Sequence, residues 1–179
     1  MSKAFLKDDL PNEPFIVPPL ADLPPGTPNR VTPRGLKLLE EKRAALEAEI
    51  ERWRAEHAES DPAVPVPAVL YERLNDVQKR IAEAEVAPPP AAPTDVVQFG
   101  ATVVVEGIGG EFAGERWRFT IVGIDEAAEF WEDDLVAFTA PIAQAVLGRK
   151  RGDEVRFSIE GRKQHLRIVG VAYGSDDGS

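Results

Sequence analysis

The chain has 179 residues and a formal net charge of −10, with 31 acidic and 21 basic side chains. This length suits one ordinary domain or two small ones. The negative charge disfavours direct binding to nucleic acid, because a phosphate backbone repels it. The absence of cysteine excludes a disulfide framework, a thiolate metal site and a cysteine nucleophile. No apolar run resembles a membrane span or signal peptide, so we expect a cytoplasmic protein.

The two ends of the chain are predicted to be disordered. Seven of the 16 prolines fall within residues 1–31, and proline lacks the amide hydrogen that helices and sheets require. We therefore interpret residues 1–31 as a disordered, proline-rich arm, whose apolar residues could alternatively dock on the protein's own surface or on a partner. Residues 174–179 are predicted to form a disordered tail.

Residues 32–86 carry two apolar stripes at the alternating three- and four-residue spacing of a coiled coil. Thr32 and Pro33 are typical of a helix start, as an N-cap and a first-turn proline. The first stripe contains Leu36, Leu39, Leu46, Ile50 and Trp53, with Arg43 and His57 filling the remaining positions of the repeat, and the second contains Leu70, Leu74, Val77, Ile81 and Ala84. A proline-rich break separates the stripes, so the two helices must fold back on each other. The pattern predicts an antiparallel coiled-coil finger, with two helices packed on a globular body as the alternative.

A second domain is predicted after a proline-rich linker at residues 87–94. From residue 95 to residue 173 the apolar period changes to that of half-buried strands. The predicted strands lie at 102–106, 116–121, 154–160 and 165–173, and a short helix at 140–148 ends at a glycine. The fold class is therefore α+β.

The sequence contains few candidates for catalysis. Motifs for dinucleotide binding, phosphate binding and serine hydrolases are absent from it. Glu56, Glu59 and Asp61 cluster beside the turn of the predicted finger, where carboxylates could help to hold Mg²⁺. The alternative is that these side chains are only solubilising charges.

Several strings resemble Gre-type transcript cleavage factors, which enter the secondary channel of bacterial RNA polymerase. They are TPRGL at 32–36, VQFGATV at 97–103, IVGIDEA at 121–127, PIAQAVLGRKRGDEV at 141–155 and IVGVAY at 168–173. The resemblance implies an antiparallel coiled-coil finger followed by an FKBP-like antiparallel sheet with a short helix. It also implies docking on the rim of the polymerase channel, with Asp125, Glu126, Ala140, Pro141, Ile142 and Leu147 as the candidate partner-binding residues.

The fingertip departs from the family's pattern. Cleavage-active members carry an Asp and a Glu three positions on, which hold a metal ion, and that string is absent here. Glu56, Glu59 and Asp61 remain as candidate catalytic residues, with Glu59 and Asp61 as candidate Mg²⁺ ligands. The resemblance therefore implies a monomeric, non-enzymatic regulator of transcription elongation that binds RNA polymerase. We expect weak or no stimulation of cleavage, no intrinsic cofactor and no sequence-specific DNA binding.

Three alternatives stay open at this point. The first is an active cleavage factor that uses the fingertip carboxylates and Mg²⁺ shared with the polymerase. The second is a peptide-binding or prolyl-isomerase-like module built on the aromatic residues Phe99, Trp117, Phe119, Phe138 and Phe157. The third is an interaction scaffold for a different protein.

Overall fold

The computed structural model describes residues 17–58 and 63–174. The helices in these ranges are α1 (Pro33–His57), α2 (Ala68–Ala82), α3 (Ile124–Glu129) and α4 (Pro141–Val146). The strands are β1 (Asn29–Val31), β2 (Ala84–Val86), β3 (Thr102–Gly109), β4 (Arg116–Val122), β5 (Leu135–Ala137), β6 (Glu154–Ile159) and β7 (Arg162–Ala172). None of the helices in the described ranges combines the length and the apolar character needed to cross a bilayer.

Helices α1 and α2 form the predicted antiparallel hairpin. Helix α1 begins where the sequence indicates, because the Thr32 hydroxyl accepts a hydrogen bond from the Gly35 amide at 2.9 Å. The two predicted stripes meet in a buried cluster that contains Leu46, Ile50, Leu70 and Val77. The second stripe ends one turn earlier than predicted, since Ala84 begins strand β2 and does not extend the helix.

The second domain is a five-stranded sheet in the order β5-β4-β3-β7-β6. The pairs β3–β4, β3–β7 and β6–β7 are antiparallel, whereas the short edge strand β5 runs parallel to β4. Alternate residues such as Val103, Val105, Phe119 and Ile121 point to one face and form the core with the buried residues of α4. The predicted α+β class is confirmed, and β5 and α3 are additions to the predicted elements.

The proline-rich segment at residues 17–31 is ordered, so the prediction of disorder is wrong there. Val17 is 6% exposed and joins the apolar cluster of the hairpin. Strand β1 pairs in parallel with β2, which follows α2. Proline prevents regular helix and sheet hydrogen bonding, but it does not prevent an extended segment from packing on a surface. The predictions for residues 1–16 and for 175–179 lie outside the described residues.

Candidate functional site

The described end of the finger contains one of the three candidate catalytic residues. Glu56 lies on the last turn of α1, where its carboxylate is 3.8 Å from the Arg52 guanidinium. Glu59 and Asp61 lie outside the described residues. In residues 17–58 and 63–174 no group of three acidic or histidine side chains is placed to hold a metal ion. The candidate Mg²⁺ site therefore remains a prediction from sequence.

Aromatic and charged contacts define the rest of this end of the hairpin. The His57 Nδ1–H donates a hydrogen bond to the Trp53 carbonyl at 2.8 Å, and the two rings stack with centroids 4.2 Å apart. Arg54 donates to the Tyr71 hydroxyl at 2.9 Å, which ties the end of α1 to the start of α2. These contacts hold the two helices together near their turn.

The candidate docking residues on α4 form a half-exposed apolar edge, which we call the docking edge and define as Ala140, Pro141, Ile142 and Leu147. Pro141 occupies the first turn of α4 and is exposed, whereas the other three are partly buried against the sheet core. The Gln144 side-chain amide donates to the Phe138 carbonyl at 2.6 Å, which ties α4 to the residues before it. The edge is therefore both accessible and rigidly supported.

The other two candidate partner-binding residues are buried within the chain. Glu126 is 3% exposed, and its carboxylate accepts a hydrogen bond from the Thr32 hydroxyl at 2.5 Å. Asp125 is 6% exposed and lies 3.3 Å from the Arg80 guanidinium. Burial raises the pKa of the Asp125 carboxyl, although the charge of Arg80 opposes this shift. Both carboxylates thus join α3 to the base of the hairpin.

The end of α3 and the acidic segment that follows it also face the hairpin. Arg34 pairs with Asp133 at 3.2 Å, and its guanidinium lies 3.9 Å from the centroid of the Phe130 ring. Lys42 pairs with Glu129 at 2.6 Å. These contacts come from the first three turns of α1, so they join only the base of the hairpin to the sheet domain.

Comparisons with known proteins match both halves of the chain. A family model described as "Transcription elongation factor, GreA/GreB, C-term" matches residues 92–173. Transcription elongation factor GreA of Desulfovibrio desulfuricans is 32% identical over 155 residues, covering 80% of this chain and 93% of that protein. The chain belongs to the GreA/GreB family of transcription elongation factors. GreA of Nitratidesulfovibrio vulgaris is 31% identical over 130 residues, and the alignment covers 73% of this chain and 77% of that protein.

Solved structures of GreA/GreB relatives align along most of the chain. The alignment with GreA factor homolog 1 of Thermus thermophilus covers 82% of this chain and 99% of that protein, with 16% sequence identity and a TM-score of 0.35. A GreA/GreB elongation factor from Nitrosomonas europaea is 23% identical, with coverages of 82% and 99% and a TM-score of 0.34.

The aromatic residues of the isomerase alternative belong to the core of this GreA/GreB family member. Phe99, Phe119 and Phe138 are buried, and the rings of Phe99 and Phe138 meet edge to face at 5.7 Å. Trp117 and Phe157 pack against the same core. These side chains are therefore used in folding, which removes the observation that favoured a peptide-binding module.

Sequence reasoning missed the residues that join the two domains. Arg80 is one of several cations on α2, and Ala21 contributes only backbone atoms to its contact with Asp125. Ala21 and Asp125 are 104 positions apart, so no local spacing relates them. The single local signal is the IDEA string itself, whose two acidic residues stand in an otherwise apolar segment.

Proposed function

We propose that this chain binds bacterial RNA polymerase through its docking edge and places the α-helical hairpin in the secondary channel. There it modulates transcription elongation by occupying the channel, with weak or no stimulation of transcript cleavage. Membership of the GreA/GreB family supports elongation as the process that is regulated. The protein would act as a monomer in the bacterial cytoplasm, because one polymerase channel would hold one hairpin.

The observation that carries this proposal is the hairpin's own apolar core. Leu46, Ile50 and Leu70 pack together with Val77 and not with the core of the sheet. Helix α1 has 25 residues and is therefore about 37 Å long. The first three turns of α1 contact the sheet domain, and the part of the hairpin beyond them, which has its own core, can enter a narrow channel without exposing the core of the other domain.

The docking edge supports the choice of contact surface. Pro141 is exposed and fixed at the start of α4, and Ile142 and Leu147 present partly exposed apolar atoms beside it. Apolar side chains on a rigid element lose little conformational entropy on binding. Ala140 precedes Pro141 and adds its methyl group to this apolar surface.

The weak cleavage activity rests on the composition of the fingertip. The Glu56 carboxylate is paired with Arg52, which competes with a metal ion for it. A cleavage factor would need Glu59 and Asp61 to hold Mg²⁺ shared with the polymerase. Without such a site, the finger acts by excluding other molecules from the channel, and the protein needs no cofactor of its own.

Site-specific cross-linking tests the placement of the finger. The chain has no cysteine, so Ala58→Cys at the end of α1 gives a single attachment point for a photo-cross-linker. We expect this probe to label the channel-lining subunits of RNA polymerase, and Ser158→Cys on the exposed surface of β6 not to label them. Equal labelling from both positions, or none from Ala58→Cys in a bound complex, would overturn the placement.

The docking edge is tested by a charge substitution that preserves the helix. Pro141→Glu adds an acidic residue in the first turn of α4, where the helix dipole favours it, so the fold should be retained. We expect it to weaken polymerase binding, whereas Ser158→Glu adds the same charge on β6 and should not. Equal affinities for the two variants would reject this edge as the contact surface.

The cleavage level is measured by RNA release from backtracked elongation complexes in Mg²⁺. We expect the wild type to release little more RNA than the polymerase releases alone. Strong release that Glu59→Ala abolishes would instead establish an active cleavage factor.

A further inference from the structure

The segment 17–31, which we call the strap, contacts both domains along its length. Val17 is buried in the apolar cluster of the hairpin. Ala21 and Leu23 pack against the core of the sheet domain. Strand β1 then pairs with β2 at the base of the hairpin. The strap therefore crosses the junction between the hairpin and the sheet.

One residue of the strap is held by both domains at once. The Ala21 amide donates a hydrogen bond to Asp125 Oδ1 at 3.0 Å, and the Ala21 carbonyl accepts one from Arg80 Nη2 at 2.8 Å. Arg80 Nη1 and Asp125 Oδ2 are 3.3 Å apart, so the strap, helix α2 and helix α3 each contact the other two at this point. We call Ala21, Arg80 and Asp125 the clasp. Asn29 reinforces it, because its side-chain amide donates to the Arg80 carbonyl at 2.8 Å.

The clasp differs in its burial from the Arg34–Asp133 ion pair, which also links the two domains. The side chains of Arg80 and Asp125 are 14% and 5% exposed, whereas those of Arg34 and Asp133 are 43% and 52% exposed. Solvent screens the exposed pair, so it restrains orientation weakly. Separating the buried pair would leave charges with little access to water, which is costly.

Burial also limits what the clasp adds to stability. Desolvation is the main influence on Asp125 and raises its pKa even beside Arg80. A buried ion pair of this kind contributes little net stability, but it penalises every arrangement in which the two charges are apart. The clasp therefore favours one geometry over others more than it favours folding.

We propose that the strap and its clasp set the direction of the hairpin relative to the sheet domain, with Arg80 and Asp125 as positioning residues. The consequence for the polymerase rests on the proposed function: when the docking edge is bound, the clasp determines where the fingertip lies. The orientation itself is a property of the free protein.

Distance measurement between spin labels tests the orientation directly. Labels at Ala58→Cys and Ser158→Cys report the separation of the hairpin end from β6. We expect one narrow distance distribution in the otherwise unaltered chain. The double substitution Arg80→Gln and Asp125→Asn removes both charges while keeping a polar side chain at each position. It should broaden or shift that distribution while the helix content and the melting temperature change little.

Two further variants keep the test decisive. Asp133→Asn breaks the exposed pair with Arg34 and should leave the distribution unchanged. Val17→Asp should release the start of the strap and broaden the distribution even if the double variant does not fold. A distribution that stays narrow and unshifted in a folded clasp variant, or in Val17→Asp, would overturn the proposal.

The polymerase arm of the experiment separates this inference from the proposed function. In complexes formed at saturating concentrations of the protein, the clasp variant should lose the cross-link from Ala58→Cys to the channel-lining subunits. If the wild type does not bind polymerase at all, the proposed function fails while the distance distributions still decide the role of the clasp.

Discussion

Truncation of Leu46 tests the idea that the hairpin is stabilised by its own core. Leu46 is fully buried among Ile50, Leu70, Val77 and Val17. Leu→Ala substitutions at such sites cost about 2–5 kcal/mol, which combines lost apolar transfer with the cavity left behind. Val17 belongs to the strap and not to a helix, so it can move toward the cavity. We therefore expect Leu46→Ala to cost about 2–3 kcal/mol of unfolding free energy.

Urea unfolding followed by far-ultraviolet circular dichroism measures this loss, because α1 and α2 contain most of the helix in the described ranges. Leu36→Ala is the matched control on the same helix. Leu36 is half-buried and lies outside both apolar clusters, so its truncation should cost less than about 1 kcal/mol.

The comparison between the two leucines gives a clear refutation. Equal losses for Leu46→Ala and Leu36→Ala would show that the hairpin cluster does not contribute as the burial indicates. A loss below about 1 kcal/mol for Leu46→Ala would lead to the same conclusion. The hairpin would then depend on the sheet domain for its stability, and its use as an independent finger would lose its support.

Three other predictions concern pH, a close backbone contact and a surface pair. Burial raises the pKa of Asp125 above its ordinary value of 3.8, so the folded state binds the proton more tightly than the unfolded state. The unfolding free energy should therefore fall as pH rises from 3.8 through the raised pKa. Asp125→Asn should remove that component in urea titrations across acidic pH, and an identical pH dependence would refute it. A Cβ at Gly107 would lie 1.7 Å from the Phe112 carbonyl oxygen, so Gly107→Ala should cost about 1–3 kcal/mol, and unchanged stability would contradict this. The hydrogen bond from Arg167 lowers the pKa of Glu154, so Arg167→Gln should raise that pKa in a carbon NMR titration, and no change would exclude the pairing in solution.

The elements with a clear local period were predictable. The stripe positions Leu46, Ile50, Leu70 and Val77 are those that the hairpin buries, since residues three and four apart share one face of a helix. The alternation in β4 likewise places Phe119 and Ile121 in the core. The short strands β1, β2 and β5 each have three residues, which is too few to establish a period.

The candidate site was predicted in part. The position of Pro141 at the start of α4 follows from the sequence, because proline is favoured in the first turn of a helix. The burial of Asp125 and Glu126 does not follow, since an acidic pair in sequence normally indicates a solvated surface. Their environment depends on Arg80 and Thr32, which approach only after the hairpin has packed against the sheet domain.

The helical hairpin, the α+β sheet domain and the family could be predicted from the amino-acid sequence by itself, because each depends on the spacing of nearby residues or on short sequence motifs. Only the tertiary structure decided that residues 17–31 are a strap and that Arg80 and Asp125 meet at Ala21. The physical reason is that the spacing of apolar residues along the chain shows which face of a helix or strand is buried. A contact between single polar groups from distant segments produces no repeating pattern in the sequence, so it cannot be predicted in this way.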